Sequence, residues 1–314
     1  MTSKRSVAAR RLLLCLALAS ASTAVYAQDA DALNAEEPAD EVEGDTSPGR
    51  SGKLLLTGGV TQVEGAAGGG LTPWAVIGGY GTRDQIGANA FYTNVGVDDY
   101  TLDSYGVLVG FYDRVELSFS RQEFDTEAVG GALGLGNGFT FTQDTIGVKV
   151  KVAGDAVLEQ DSWLPQIAVG AQYKKNDQPG VLAFVGARDD SGVDYYVSAT
   201  KLYLAQSLLL NGTVRFTKAN QFGILGFGGD KDDGYQAQFE ASAAYLLTRN
   251  LAIGAEYRTK PDNLNIAVED DAFDVFVAWA PVKNVSLTVA YVDLGNIVIA
   301  DNQRGVYASL QVGF

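Results

Sequence analysis

The 314-residue sequence has no histidine, one cysteine, one methionine and only 7 prolines. Without histidine there is no Ser-His or Cys-His nucleophile and no metal site built on imidazole. The single cysteine, Cys15, lies in a leader-like stretch, so no disulfide framework is expected after it. Charge is sparse and mostly of one sign. Charged residues make up 19% of the chain, with 38 Asp and Glu against 23 Lys and Arg, for a net charge of -15. Such a chain is a poor partner for nucleic acid. Long apolar runs are also missing: beyond residue 52 none exceeds about half a dozen residues, which excludes transmembrane helices. What is present is apolar, aromatic and glycine-rich, with 46% hydrophobic residues, 37 Gly, 15 Tyr and 14 Phe. That composition excludes bulk disorder.

The N-terminus reads as an export address. Lys4, Arg5, Arg10 and Arg11 precede an apolar stretch, and Val25-Tyr26-Ala27 offers a peptidase cleavage site. Residues 1–27 are therefore expected to be a signal peptide, too short in its apolar core to be a membrane span. Residues 28–51 carry eight acids, among them Glu36, Glu37, Asp40 and Glu41, against the single base Arg50. An acidic, disordered periplasmic tail is expected there. Residues 52–314 form the third and largest region.

In that region apolar and polar residues alternate over segments of about ten. Val115, Leu117 and Phe119 alternate with Glu116, Ser118 and Ser120, and Ile146, Val148 and Val150 with Gly147, Lys149 and Lys151. Similar rows run through Ile167–Lys174, Tyr235–Ser242 and Val285–Tyr291. These are β-strands with two unlike faces. The apolar face ends in aromatics, while the other mixes charge with small residues, as in a barrel that turns its apolar side to lipid.

The connections support this. Short links at residues 112–113, 204–207, 248–250 and 281–284 alternate with longer Gly- and Asp-rich ones at 123–142, 176–192, 219–234 and 260–270. Short turns on one side and long loops on the other are the asymmetry of outer-membrane barrels. The segment 153–165 breaks the rule, being long where a short turn is due. The expected fold is all-β: a transmembrane antiparallel β-barrel of about 14 strands, with 12 possible if the Gly-rich opening at residues 56–81 pairs badly. Its expected location is the bacterial outer membrane, and its expected partners are outer-membrane lipid and lipopolysaccharide.

At the C-terminus Val306, Ala308, Leu310, Val312 and Phe314 share one parity and end on an aromatic carboxylate. The row Leu310, Val312, Phe314 resembles the terminal-strand signal read by the barrel-assembly machinery, which is the expected assembly partner.

The segment 65–74, Gly-Ala-Ala-Gly-Gly-Gly-Leu-Thr-Pro-Trp, followed by Gly78-Gly79-Tyr80-Gly81-Thr82, resembles a proteobacterial family of uncharacterised outer-membrane barrel proteins. Thr217-Lys218-Ala219-Asn220-Gln221-Phe222-Gly223 and Gly226-Phe227-Gly228-Gly229 are similar to the same family. The resemblance covers most of the chain after residue 52. It implies location and fold, and it assigns no functional residue.

Candidate chemistry is thin. The glycines at 78–87 lack the helix and the Gly-Lys-Ser/Thr of a phosphate loop. Asp230, Asp232 and Asp233 miss the spacing of a calcium loop, so no metal and no cofactor is expected. A phospholipase built on Ser and His has no histidine to use, and the loop acids Asp189, Asp190 and Asp194 match ordinary loop composition; no enzyme is expected.

The inward positions say more. Glu116, Lys149, Lys151, Lys174, Arg215, Glu240, Glu256 and Arg258 share parity with Ser, Gln and Gly. A basic group on the lipid face near the midplane costs about 2–4 kcal/mol, which places these residues in the lumen. Lining a water-filled passage, they would set the ion preference of a channel for small solutes. Paired across the lumen, they would close it, leaving a structural or surface-interaction barrel. The apolar segment 123–142, with Gly130, Leu133, Leu135 and Phe139, is expected to fold inward as a constriction.

Overall fold

The computed structural model describes residues 53–314; the expected signal peptide (1–27) and acidic tail (28–51) lie outside the described residues. Two short strands come first, β1 (Val60–Thr61) and β2 (Ala67–Gly68). Twelve long strands follow: β3 (Ile86–Val97), β4 (Thr101–Phe111), β5 (Val115–Asp125), β6 (Thr140–Ala153), β7 (Gln166–Asn176) and β8 (Ser191–Tyr203). The second half holds β9 (Leu208–Thr217), β10 (Gln236–Thr248), β11 (Leu251–Arg258), β12 (Ala272–Val282), β13 (Val285–Asp293) and β14 (Arg304–Gly313). Strands β3 to β14 pair antiparallel in chain order, and β14 closes on β3 from Gly305↔Val97 to Gly313↔Asn89. The sheet is a closed barrel without edges, which leaves no backbone group unpaired in lipid.

The period-2 pattern explains the wall. Outward residues such as Ile146, Phe239 and Val289 are exposed, while their inward neighbours Thr145, Glu240 and Thr288 are buried. An apolar exterior this continuous far exceeds the patch of a few hundred Å² that soluble monomers tolerate, and it faces lipid. Aromatics mark both rims of the band, with Tyr173, Tyr195, Tyr257 and Tyr291 towards the long loops. Tyr112, Tyr203, Tyr245 and Trp279 lie towards the short turns.

The strand count is 12, at the lower of the two expected values, because the Gly-rich opening does not join the wall. Residues 60–79 are buried without a break, and β1 and β2 pair with each other, Val60↔Gly68 and Thr61↔Ala67, and not with a strand of the wall. This hairpin occupies the lumen as a plug. Its glycines permit the fit: Gly65 turns the tip at φ +95°, and a Cβ on Gly69 would collide with the Glu256 carboxylate. The chain then passes through Tyr80, whose amide donates to the Phe314 carbonyl (2.9 Å), and enters β3 at the barrel seam.

The long link at 153–165 folds across the short-turn mouth. Lys201 Nζ donates to the carbonyls of Asp155, Glu159 and Leu164, and Leu202 donates its amide to Ala156 (2.8 Å). Gln166 joins this link to the plug, accepting from the Ala156 amide (3.1 Å) and donating to the Ala75 carbonyl (2.6 Å).

Candidate functional site

The strands aim their alternate side chains at the hairpin, and each level of the lumen holds a different part of it. At the base Lys53 pairs with Asp113 (2.7 Å) and donates to the Ile77 carbonyl (2.6 Å), while Lys151 also reaches Asp113. Above it Lys149 and Glu116 clamp β2 and the stretch that follows it. Lys149 Nζ donates to the carbonyls of Ala67 and Val76 (2.9 Å each) and contacts Glu116 at 3.0 Å. Glu116 accepts from the amides of Ala67 (3.0 Å) and Gly78 (2.8 Å). On the opposite wall Glu256 accepts from the Leu71 amide (2.8 Å) and the Thr72 hydroxyl (2.5 Å). Ser242 lies between them, 2.5 Å from Thr72 Oγ1, and accepts from Trp74 Nε1 (2.9 Å).

The centre is an ion cage around Glu64, which is 0% exposed. Arg258 grips its carboxylate with both terminal nitrogens (Nη1–Oε2 2.9 Å, Nη2–Oε1 3.2 Å), Lys174 donates to Oε1, and Arg215 Nη2 stands 3.6 Å from Oε2. Lys174 is shared with Asp194 (2.6 Å), and Arg215 with Asp194 (3.3 Å) and Glu240. Burial favours the neutral acid, but the charges of Arg258, Lys174 and Arg215 together outweigh it and hold Glu64 well below the usual carboxylate range.

A second closure comes from the long-loop side. Residues 219–229 are buried apart from the half-buried Phe222, and they cap the plug. The Phe222 carbonyl accepts from Lys174 Nζ (3.0 Å), and its ring lies 4.0 Å from the Arg258 guanidinium carbon. Ile224 and Leu225 join Val95, Tyr100, Phe124, Leu294 and Ile297 in the apolar cluster at this mouth. Lys174 thus touches lid and plug at once.

The eight expected lumenal residues, Glu116, Lys149, Lys151, Lys174, Arg215, Glu240, Glu256 and Arg258, all face inward and none is more than 8% exposed. Seven of them meet the plug or one another instead of lining an open passage, and Lys151 pairs with Asp113 and Asp155 at the short-turn mouth. The residues of the expected constriction stand apart from the Glu64 cage. The β5–β6 ladder continues to Asp125↔Thr140 and carries its loop past the mouth, where it forms the short helix α1 (Glu127–Ala132). Gly130 accepts from the Leu135 amide within the loop (2.8 Å), Leu133 and Leu135 stay half-buried, and Phe139 stacks edge-on to Phe141. Glu64 and the lid had no place in the sequence expectations, and Asp194, expected as a loop acid, is a buried lumenal residue of β8. The signal for the lid was present in the apolar Phe222, Ile224, Leu225 and Phe227.

At the C-terminus Val306, Val312 and Phe314 face outward as their parity requires. Leu310 shares the parity but is 7% exposed, being covered by its cross-strand neighbours Tyr92 and Leu287. Among the described residues no group of three or more acids could hold a metal ion. Three loop acids are engaged by bases, Asp262 by Lys231, and Asp189 (3.1 Å) and Asp233 (3.2 Å) by Lys218.

A closed barrel with this plug matches one family model, described as a protein of unknown function (DUF3034), over residues 57–311. The chain belongs to the DUF3034 family. The match begins at the plug and ends in β14, so plug, wall and lid are all parts of the family's shared region. Among curated proteins none matches this DUF3034 member. Among solved structures it is similar to the KdgM porin, with TM-score 0.47 and 11% identity, covering 72% of this chain and 99% of that one. It is also similar to the NanC porin, with TM-score 0.46 and 10% identity, covering 73% and 98%. A third similar barrel is outer membrane phospholipase A from Escherichia coli, with TM-score 0.39 and 10% identity, covering 75% and 94%. That barrel corrects the expectation that no enzyme would be found here: an enzyme stands among the similar structures, so the exclusion is withdrawn. The resemblance to porins is one of fold.

Proposed function

We propose that this DUF3034 protein is an outer-membrane channel for small solutes that rests closed, stopped by its own residues 60–79 and opened when they withdraw. The carrying observation is the chemistry of the contact between plug and wall. Beside the apolar packing of Val60 and Trp74 against wall residues such as Leu202, Leu209 and Phe276, it holds ion pairs and hydrogen bonds at Lys149, Glu116, Glu256, Lys174 and Arg258. A plug held by apolar packing alone would resist wetting. A hydrogen bond to a charged group is worth only about 1.5–3 kcal/mol net, because water replaces the lost partner. Such an interface can hydrate and separate. Once it does, the inward bases and acids meet solute and set its selectivity. The apolar exterior supports contact with outer-membrane lipid and lipopolysaccharide, and the outward row ending at Phe314 supports delivery by the assembly machinery.

A permanently closed barrel, acting through its acidic surface loops, is the second reading. It is favoured by the double closure of plug and lid. A disulfide staple separates the two. Thr72 Oγ1 and Ser242 Oγ are 2.5 Å apart, and the described residues contain no cysteine, so Thr72→Cys with Ser242→Cys ties the plug to β10 alone. The two substitutions remove the hydroxyl contacts of Thr72 and Ser242 to each other, to Glu256 and to Trp74, so in planar bilayers the reduced variant should open, oxidation should silence it, and reduction should restore the openings. Silence in both states favours the closed barrel; equal current in both contradicts a moving plug.

A further inference from the structure

The Glu64 cage has a charge balance that the wall alone does not complete. Three bases, Lys174, Arg215 and Arg258, meet two wall acids, Asp194 and Glu240. The third acid, Glu64, comes from the plug. Arg258 has a wall carboxylate only at 3.5 Å, through its Nε and Glu240, and both terminal nitrogens of its fork point at Glu64. Arg215 Nη2 is buried without a hydrogen-bond partner and faces the same carboxylate at 3.6 Å. The guanidinium faces are covered, Arg258 by Phe222 at 4.0 Å and Arg215 by Tyr196 at 5.4 Å. A planar fork with its faces stacked and its edge open recognises a carboxylate in two-point fashion.

We propose that Lys174, Arg215 and Arg258 form a carboxylate-binding site in the lumen, that Glu64 is its resident occupant, and that carboxylated solutes take its place when the plug withdraws. The wall without Glu64 keeps one uncompensated positive charge, and an anion of one carboxylate restores neutrality. A neutral sugar has nothing to offer the fork, and chloride makes no two-point contact with it. Solute and plug therefore compete for one set of bases, so the substrate itself would favour the open state. This last step rests on the channel reading; the existence of the site does not.

Glu64→Ala removes the resident carboxylate and leaves room for a small one. Acetate should then stabilise the purified variant beyond chloride at equal ionic strength, raising Tm by about 3 °C or more. The wild-type protein, with its site filled, should melt alike in both salts. Adding Arg258→Gln to Glu64→Ala should remove the advantage of acetate. If Glu64→Ala does not fold in chloride, its yield of folded barrel on refolding in acetate is the readout. An equal melting point, or an equal yield, in the two salts overturns the site. The measurement needs no open pore, so its failure is separate from any failure of the channel reading.

Discussion

Deleting residues 60–77 should turn a barrel that is silent at rest into one with a steady current, at least about tenfold above wild type, since a wall of this size encloses more than its own side chains fill. About eight strands already make an interior that side chains pack; here 12 surround a lumen filled by a hairpin. The inward row contains many short side chains, such as Ser118, Ser198, Thr200 and Thr213, which leave space once the hairpin is gone. The closed ladder from β3 to β14 uses no plug residue, so the wall keeps its pairing. Residues 219–229 remain as a partial cover, and shortening them should add a second rise. Current in planar bilayers is the check, with heat-modifiable migration on gels showing that the variant is folded. A folded, plugless barrel that stays silent would contradict the channel.

The second large effect is expected at Lys149. It is 1% exposed, and its three acceptors are the carbonyls of Ala67 and Val76 and the carboxylate of Glu116. Lys149→Met leaves Glu116 buried without its cation, a change that typically costs about 3–5 kcal/mol. Because Glu116 also holds the amides of Ala67 and Gly78, the loss falls on the docking of the plug. The variant should open spontaneously where the wild type does not. Combining it with Glu116→Gln removes both charges, and the double variant should be less damaged than the sum of the two single ones. Additive effects in that cycle would show that the two residues do not act as a pair.

The wall was legible in the sequence because a strand's side chains alternate with a fixed period. The inward placement of Lys149, Lys174, Arg215 and Arg258 followed from parity with Ser, Gln and Gly. What fills the lumen was not legible in the same way. Gly-rich residues 56–81 carry no clean alternation, and they fit two weak strands as well as they fit a plug. The deciding contacts are remote: Glu64 and Arg258 are 194 residues apart, and Glu116 and Gly78 are 38 apart. The two apolar loops were hard to tell apart for a related reason. An apolar loop folds inward by the same logic at 130–141 and at 222–227, and only strand length separates them. The long ladder of β5 and β6 lifts the first loop clear of the mouth, whereas β9 ends at Thr217 and lets the next residues turn in. Glycine at 65 and 69 was a readable sign of close backbone approach, but nothing in the sequence named what is approached.

Hydrogen exchange of the backbone amides of residues 60–79 in the purified wild-type barrel bears most directly on these conclusions. A hairpin seated among Lys149, Glu256 and Arg258 should exchange as slowly as the neighbouring strands β5 and β6, while residues 133–138 of the outer loop exchange quickly. Exchange of 60–79 as fast as that loop would mean that the lumen is not filled by this segment.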